Sequence, residues 1–409
     1  MRSPITLSTA VVSSKNEASA EELRNDAMPL GRPLRVAFVA CGLGHINRGF
    51  ETTTWNWFRT MAHTPGLDVR AFGGGKMLPA ERIANLPRNG VFCRMLRRLR
   101  LIHDGCRVEQ LSFSMGFVST LLAWQPDVIW FQEYTLGRCL LRWKKWFGLR
   151  YRLLYCNGAP LGPDSYRDFD FIQHLEPQSL QDAIEAGMSP TKMTVFPHVL
   201  PPLRVATKAE GATWRHAQEI PEDAWVVLSV AAWNRHHKRI DYVLQEVAAM
   251  RDPSIHVLLC GQPEAETDDL KRLAHELLPG RVHWRTLPQS EMPLAYAASD
   301  AFVLASLTEA FGLVLIESAA RALPTLSHVH AAGQYILEEP AWLADLSRTG
   351  ELSRRLREWK AASGIAARGL QLKATVTHRF SAESLRPSFA ALLQRVAASA
   401  GNRERGLAQ

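Results

Sequence analysis

Two glutamates eight residues apart, Glu309 and Glu317, bracket the turn Ala310-Phe311-Gly312 and the apolar run Leu313-Val-Leu-Ile316. A short apolar stretch ends just upstream, and the spacing beyond Gly312 predicts a helix over 313–323. The first amides of a helix and the positive end of its dipole favour an anion such as a diphosphate, and a glycine lets the backbone approach it closely. One carboxylate before the helix and one along it can accept hydrogen bonds from hydroxyls on either side of that diphosphate, and a sugar nucleotide carries hydroxyls on both sides. Taken without their context, two such glutamates are usually no more than a helix-start carboxylate and a solvated helix residue.

A second cluster, Ala231-Ala-Trp233-Asn-Arg235-His236-His237-Lys238-Arg239, also follows an apolar run. Lys238 or Arg235 at the end of a strand can neutralise the charge that grows on a departing diphosphate; the plain alternative is a solvated basic loop. His236 and His237 are adjacent, so they point differently, and they have no acidic or cysteine neighbour in sequence, which argues against a metal site. A third cluster, Cys41-Gly42-Leu-Gly44-His45-Ile-Asn47-Arg48-Gly49, closes the first predicted strand. Its glycines can free backbone amides for a phosphate, but the spacing is not G-x-G-x-x-G, and a structural glycine turn explains it nearly as well.

The elements that must position these residues are legible in outline. At 409 residues the chain is two to three times the usual roughly 100 to 200 residues of one domain. Hydrophobic residues make up 46% and charged residues 22%, enough apolar material for two cores, so disorder does not dominate. Order is expected from Leu34, after a leader (1–33) without periodicity that reads as a mobile tail. Apolar runs at 35–40, 128–131 and 153–156 alternate with helical spacing, which predicts parallel strands with crossover helices. Three prolines within 196–202 mark a linker. Beyond it strands are expected at 225–230, 255–260, 281–284, 301–304 and 325–327, with helices at 240–250, 268–278 and 313–323. The whole reads as two doubly wound α/β domains, 34–202 and 203–376, facing a cleft lined by the loops after the strands. A last amphipathic helix over 377–398 is capped by Ser381, interrupted or delayed by Pro387, and followed by a tail at 399–409.

In order and spacing, Ile220 to Ser229, Val257 to Gly261, Tyr296 to Leu304 and the Glu309–Glu317 segment resemble the second domain of retaining GT-B glycosyltransferases of family 4, the glycosyl transferases group 1. The similarity extends loosely from about Leu34 to Phe380. It implies the GT-B architecture: two Rossmann-like domains, the second holding the donor, with a C-terminal helix returning to the first. By carry-over Glu309 meets the donor sugar, Glu317 the ribose, and Phe311, Gly312 and Leu313 the phosphates, with Lys238 as the catalytic cation. The match is partial. Trp233 stands where the family has an arginine and Arg239 where it has glycine, so Arg235 is the substitute cation. The resemblance further makes Gly42 and Gly44 donor contacts, and His45, Asn47, Arg48 and Asn157 acceptor contacts. Asn157 replaces a histidine often found there, and an amide cannot serve as a base near neutral pH. His174 reads as a strand-end or buried histidine.

The resemblance implies transfer of a sugar, a hexose by preference, from a nucleoside diphosphate sugar to a sugar, lipid-linked or small-molecule acceptor. It requires neither a cofactor nor a metal, since lysine and helix amides hold the phosphates. An epimerase or phosphorylase on the same scaffold is the enzymatic alternative, and a non-catalytic sugar-nucleotide or membrane-binding protein the other. Six dispersed cysteines without metal spacing read as reduced thiols, and no apolar run spans a bilayer, so a cytoplasmic protein is expected. Lys and Arg number 48 against 40 Asp and Glu, which favours an anionic partner. Residues 88–152 alone hold twelve basic against four acidic residues, and 138–147 interleave aromatics with cations, as a helix at an anionic membrane surface or a solvated helix face would. No nucleic-acid module is present in the pattern.

Overall fold

The structure, a computed structural model, describes residues 31–46, 48–159 and 161–399. The tails expected at 1–33 and 399–409 therefore lie almost wholly outside the described residues. At the edge of the first, Arg32 donates two hydrogen bonds to the Asp127 carboxylate, at 2.8 and 2.9 Å.

Two parallel-sheet, Rossmann-like α/β units make up the chain. The first comprises the described residues of Met1–His174, Ser179–Val199 and Ala382–Gln409, and the second Leu175–Gln178 and Leu200–Ser381. Seven strands build the first: β1 (Leu34–Ala40), β2 (Leu67–Gly73), β3 (Glu81–Arg82), β4 (Val128–Phe131), β5 (Arg152–Cys156), β6 (Phe171–His174) and β7 (Met193–Val195). They lie in the order β3-β2-β1-β4-β5-β6-β7, all pairs parallel. Strands of a parallel sheet are covered on both faces, so they read as continuous apolar runs, and Val128-Ile-Trp-Phe131 is fully buried. Helices α1 (Gly49–Met61), α2 (Val91–Arg98), α3 (Gly105–Trp124) and α4 (Tyr134–Trp146) belong to this unit. Asp104 caps α3 by accepting from the Cys106 amide at 2.8 Å.

The C-terminal helix Ala382–Ala398 also belongs to the first unit. Its Phe389 ring stacks on Trp57 of α1 at 3.8 Å and meets Phe196 at 5.1 Å, while Arg386 donates to the Thr60 carbonyl at 3.0 Å. The helix runs through Pro387 in its second turn without ending there, giving up one amide donor. Residues 377–380, expected to open this helix, instead close the preceding one, Ile365–Phe380, in the second unit.

The second unit carries β8 (Trp225–Val230), β9 (Ile255–Cys260), β10 (Val282–Arg285), β11 (Ala301–Leu304), β12 (Thr325–His328) and β13 (Leu343–Ala344) in the order β10-β9-β8-β11-β12-β13, again parallel. The helices that matter for the site are α5 (Ile240–Ala249), α6 (Leu313–Ala319) and α7 (Ala331–Leu337). Helix α6 is four residues shorter than its spacing predicts. Ala322 takes a left-handed conformation (φ 61°), the Leu323 amide reaches back to the Ser318 carbonyl, and Pro324 follows, so the chain is turned into β12 by a left-handed C-terminal cap.

Candidate functional site

In each unit the strand order reverses between two adjacent strands, β1 and β4 in the first and β8 and β11 in the second. Crossover loops diverge at such a point and leave a crevice at the carboxyl ends of the strands. The clusters singled out in the sequence fall on the loops that leave these strands.

In the second unit the loop after β8 meets the loop after β11. Lys238 Nζ lies 2.5 Å from Glu309 Oε1, and both side chains are largely buried, at 19% and 10% exposed. His237 joins the same carboxylate, its Nε2 3.9 Å from Glu309 Oε1 and 3.3 Å from the Thr308 carbonyl. Asn234 holds the loop in this shape. Its Oδ1 accepts from the amides of His237 and Lys238, at 3.1 and 2.7 Å, and its amide nitrogen donates to Glu264 at 2.9 Å. The Arg235 amide donates to Glu266 at 2.8 Å, and that bond holds the Glu266 carboxyl below its usual range. The Arg235 guanidinium makes no side-chain hydrogen bond or ion pair among the described residues.

The two departures from the family pattern have structural explanations. Trp233 is buried and meets the Trp284 ring edge-on at 5.0 Å, so it fills space beneath the loop. Arg239 adopts φ 52°, the left-handed conformation that suits glycine, and is held there by its own guanidinium. That group donates to the Leu346 carbonyl at 2.6 Å and lies 4.1 Å over the Tyr242 ring. The histidine pair is corrected in one respect: the acidic companions absent from the local sequence are supplied by the fold, with Glu266 3.3 Å from His236 and Glu309 beside His237. No group of three metal-ligating side chains forms among the described residues.

Gly312 (φ 87°) is the residue before α6, where a side chain would be strained. Phe311 turns its ring into the interior against Phe380, so at this turn only backbone is offered to a ligand by Phe311 and Gly312, with the half-buried Leu313 opening the helix. Glu317 is half-buried, not solvated: Tyr296 donates to its Oε2 at 3.1 Å, and burial pushes its carboxyl above the ordinary range. His330 caps α7, accepting from the Gly333 amide at 2.9 Å. Burial brings its pKa down to about 4, with Glu309 opposing the shift and Lys238 adding to it, so the imidazole is neutral near pH 7. Asn234, Glu264, Glu266 and His330 carried no motif in the sequence; only an asparagine shortly after a strand hinted at the first.

In the first unit His45 Nε2 lies 2.6 Å from Glu109 of α3, which also receives the Arg88 side chain at 2.5 Å and the Arg88 amide at 3.0 Å. Burial raises the Glu109 carboxyl, but the bonds from His45 and Arg88 outweigh it and leave the group below its usual range. Arg88 approaches Glu133 at 3.5 Å, and Glu133 accepts from the Cys41 amide at 2.6 Å. Gly42 and Gly44 are explained within the fold, since a Cβ on Gly42 would run into the Glu51 carboxylate and one on Gly44 into the backbone of Gly75. Arg48 is paired with Glu51 at 2.8 Å. The backbone N–H of Asn157 donates to the Gln173 carbonyl, and its buried side-chain Oδ1 has no hydrogen-bond partner among the described residues. Asn47 lies outside the described residues. His174 is fully buried at the end of β6, with a pKa of about 4 from burial, as its position in the sequence suggested. Arg88, Glu109 and Glu133 could not be found from motifs, because their partners are 21 to 92 residues away.

This pair of parallel sheets defines the GT-B class of fold. Residues 211–363 match the family model for glycosyl transferases group 1. The chain is 28% identical over 182 residues to the lipopolysaccharide core biosynthesis glycosyltransferase LpsE of Rhizobium meliloti, a stretch covering 43% of this chain and about half (51%) of that relative. Among solved structures it superposes on Anabaena HepE in complex with UDP and glucose, with a TM-score of 0.70 and 15% identity over 88% of this chain and 99% of that one. It is equally similar to sucrose-phosphate synthase from Thermosynechococcus elongatus, at 0.70 and 17% identity over 91% and 99%.

Proposed function

We propose that this chain is a retaining glycosyltransferase of the family 4 type, moving a hexose from a nucleoside diphosphate sugar to a hydroxyl of a sugar, lipid-linked or small-molecule acceptor. The observation that carries the reading is the Lys238–Glu309 pair where the strand order reverses, with Glu317 eight residues further along and Gly312 between. Glu309 orients the sugar, Glu317 takes the ribose, and Lys238, with Arg235 beside it, stabilises the charge that grows on the leaving diphosphate. The bond from the anomeric carbon to the diphosphate breaks as the acceptor oxygen bonds to the same face, and the acceptor proton passes to a diphosphate oxygen. No protein base is needed, which suits an asparagine at 157. The phosphates are held by lysine and backbone amides, so the reaction is independent of divalent metal. The solved HepE complexes with UDP, glucose and UDP-glucose make UDP-glucose the first donor to try.

The test is a panel of UDP-, GDP- and ADP-sugars read by thermal stabilisation, followed by donor hydrolysis and transfer with and without EDTA. A ligand at a hundred times its Kd stabilises the folded state by about 2.7 kcal/mol, which is readily seen as a rise in melting temperature. Stabilisation by one base series and EDTA-resistant turnover support the reading. Absence of both for every donor refutes it.

A further inference from the structure

We propose that α2 and the outer face of α3 form a docking surface for an anionic lipid bilayer, distinct from the segment 138–147 singled out in the sequence. Soluble folds scatter exposed apolar side chains singly, and a contiguous group of them marks an interaction surface. Here they are concentrated. On α2, Val91 is 74% exposed, Phe92 45% and Met95 48%, and Leu99 just past its end is 59% exposed. At 100° per residue Val91, Met95 and Leu99 lie along one side of the helix, with Phe92 next to them. Cys93, at about 200° from Val91, is buried and Leu96, at about 140°, is half-buried, so the protein holds the side flanking Phe92 while Val91, Met95 and Leu99 stay exposed. Helix α3, which packs beside α2, exposes two more apolar side chains, Leu111 and Met115, one turn apart.

The charge around this patch selects the partner. Between residues 91 and 107 five arginines, Arg94, Arg97, Arg98, Arg100 and Arg107, face one acid, Asp104. Arg97 donates to the Arg88 carbonyl, and the other four make no ion pair or side-chain hydrogen bond among the described residues. Elsewhere in the unit some cations are consumed internally, Lys144 and Arg152 on Asp170 and Arg138 on Asp168. Segment 138–147 keeps two cations without an ion pair among the described residues, Arg142 and Lys145, and exposes Trp146 and Phe147, whereas 91–107 keeps four such arginines beside a longer apolar arc and is therefore the richer surface. Uncompensated arginines flanking an outward apolar arc are the pattern of a helix that lies in the plane of a bilayer, with its apolar side among acyl chains and its cations at anionic headgroups. No helix among the described residues is long and apolar enough to cross a membrane, so the contact is of the surface kind. A second copy of this chain is disfavoured as the occupant, because a symmetric pairing would oppose the same arginines.

The experiment is co-sedimentation of the full chain with phosphatidylcholine vesicles and with vesicles containing phosphatidylglycerol. Binding is expected only to the latter and is expected to weaken with salt. Arg94→Glu/Arg98→Glu should lower the partition at least about tenfold, since each surface arginine is worth roughly a factor of five at such a membrane. Phe92→Ser/Met95→Ser should lower it as well, and as both side chains are exposed the melting temperature should stay unchanged. Equal binding of these variants and the native chain, or loss of binding in Arg142→Glu/Lys145→Glu alone, would overturn the proposal. So would self-association abolished by Phe92→Ser/Met95→Ser without any vesicle binding, which would make the patch an interface between copies.

Discussion

Lys238 and Glu309 are separated by 71 residues in sequence and by 2.5 Å between Nζ and Oε1. The pairing of β8 with β11 makes them neighbours, because the loop that leaves each strand starts from adjacent positions of the sheet. The carboxylate expected to orient a sugar and the cation expected to face its phosphate are thus one ion-paired unit.

Lys238→Ala should lower turnover roughly 10²-fold while changing the affinity for the free nucleoside little. A fixed cation contributes most where charge develops in the transition state. Steady-state kinetics beside nucleoside titration checks this, and full activity of the variant would remove Lys238 from the chemistry.

Glu317→Ala should weaken donor binding by about 0.5 to 1.5 kcal/mol, the worth of one hydrogen bond to a neutral hydroxyl. The Tyr296 hydroxyl loses its acceptor in the same variant. Tyr296→Phe separates the two effects: it should leave donor affinity nearly intact, as measured by calorimetric titration.

Glu109 is fully buried and compensates Arg88, itself only 9% exposed. Breaking such a pair leaves a buried charge unpaired, at a cost of about 3 to 5 kcal/mol. Glu109→Ala should therefore be among the most destabilising single changes in the first unit, read by denaturant unfolding. An unchanged midpoint would contradict the cluster as described.

At position 239 the backbone conformation and the side chain pull in opposite directions. Arg239→Gly relieves the left-handed strain and forfeits the bond to Leu346, whereas Arg239→Ala forfeits the bond and keeps the strain. The alanine variant should be less stable than the glycine variant by about 1 kcal/mol.

Acid should destabilise the protein below neutrality. His256 and His283 stack with ring planes 14° apart, and His256 Nδ1 lies 3.0 Å from His283 Nε2. Burial and nearby Arg281 and Arg215 lower the proton affinity of His256, and burial, His256 and Arg285 bring His283 to about 4; burial brings His174 and His330 to about 4 as well. In each case the unfolded chain, with an ordinary pKa of about 6.5, binds more protons than the folded one. The stability they contribute is complete above that value and is lost as pH falls from there toward 4. Melting temperature should decline over this window, and His283→Gln should flatten part of the decline.

By itself the sequence determined the elements and the class of fold. Buried parallel strands are short apolar runs whatever their neighbours, so β4, β8, β9 and β11 stand at the residues their composition indicated, and Glu309, Gly312 and Glu317 are legible because they share one loop and one helix start. Tertiary structure decided what side chains far apart in sequence do to one another. It gave His236 and His237 acidic partners, turned Trp233 into the interior, let Arg239 occupy a glycine conformation, and gathered His45, Arg88, Glu109 and Glu133 into one buried network. It also sorted the basic excess, pairing Lys144 with Asp170 while leaving Arg94 and Arg98 of α2 without an ion pair among the described residues, beside exposed apolar side chains. The physical reason is range: periodicity and turn chemistry act over a few residues, whereas ion pairs and burial depend on strand order, which brings together residues 21 to 92 positions apart.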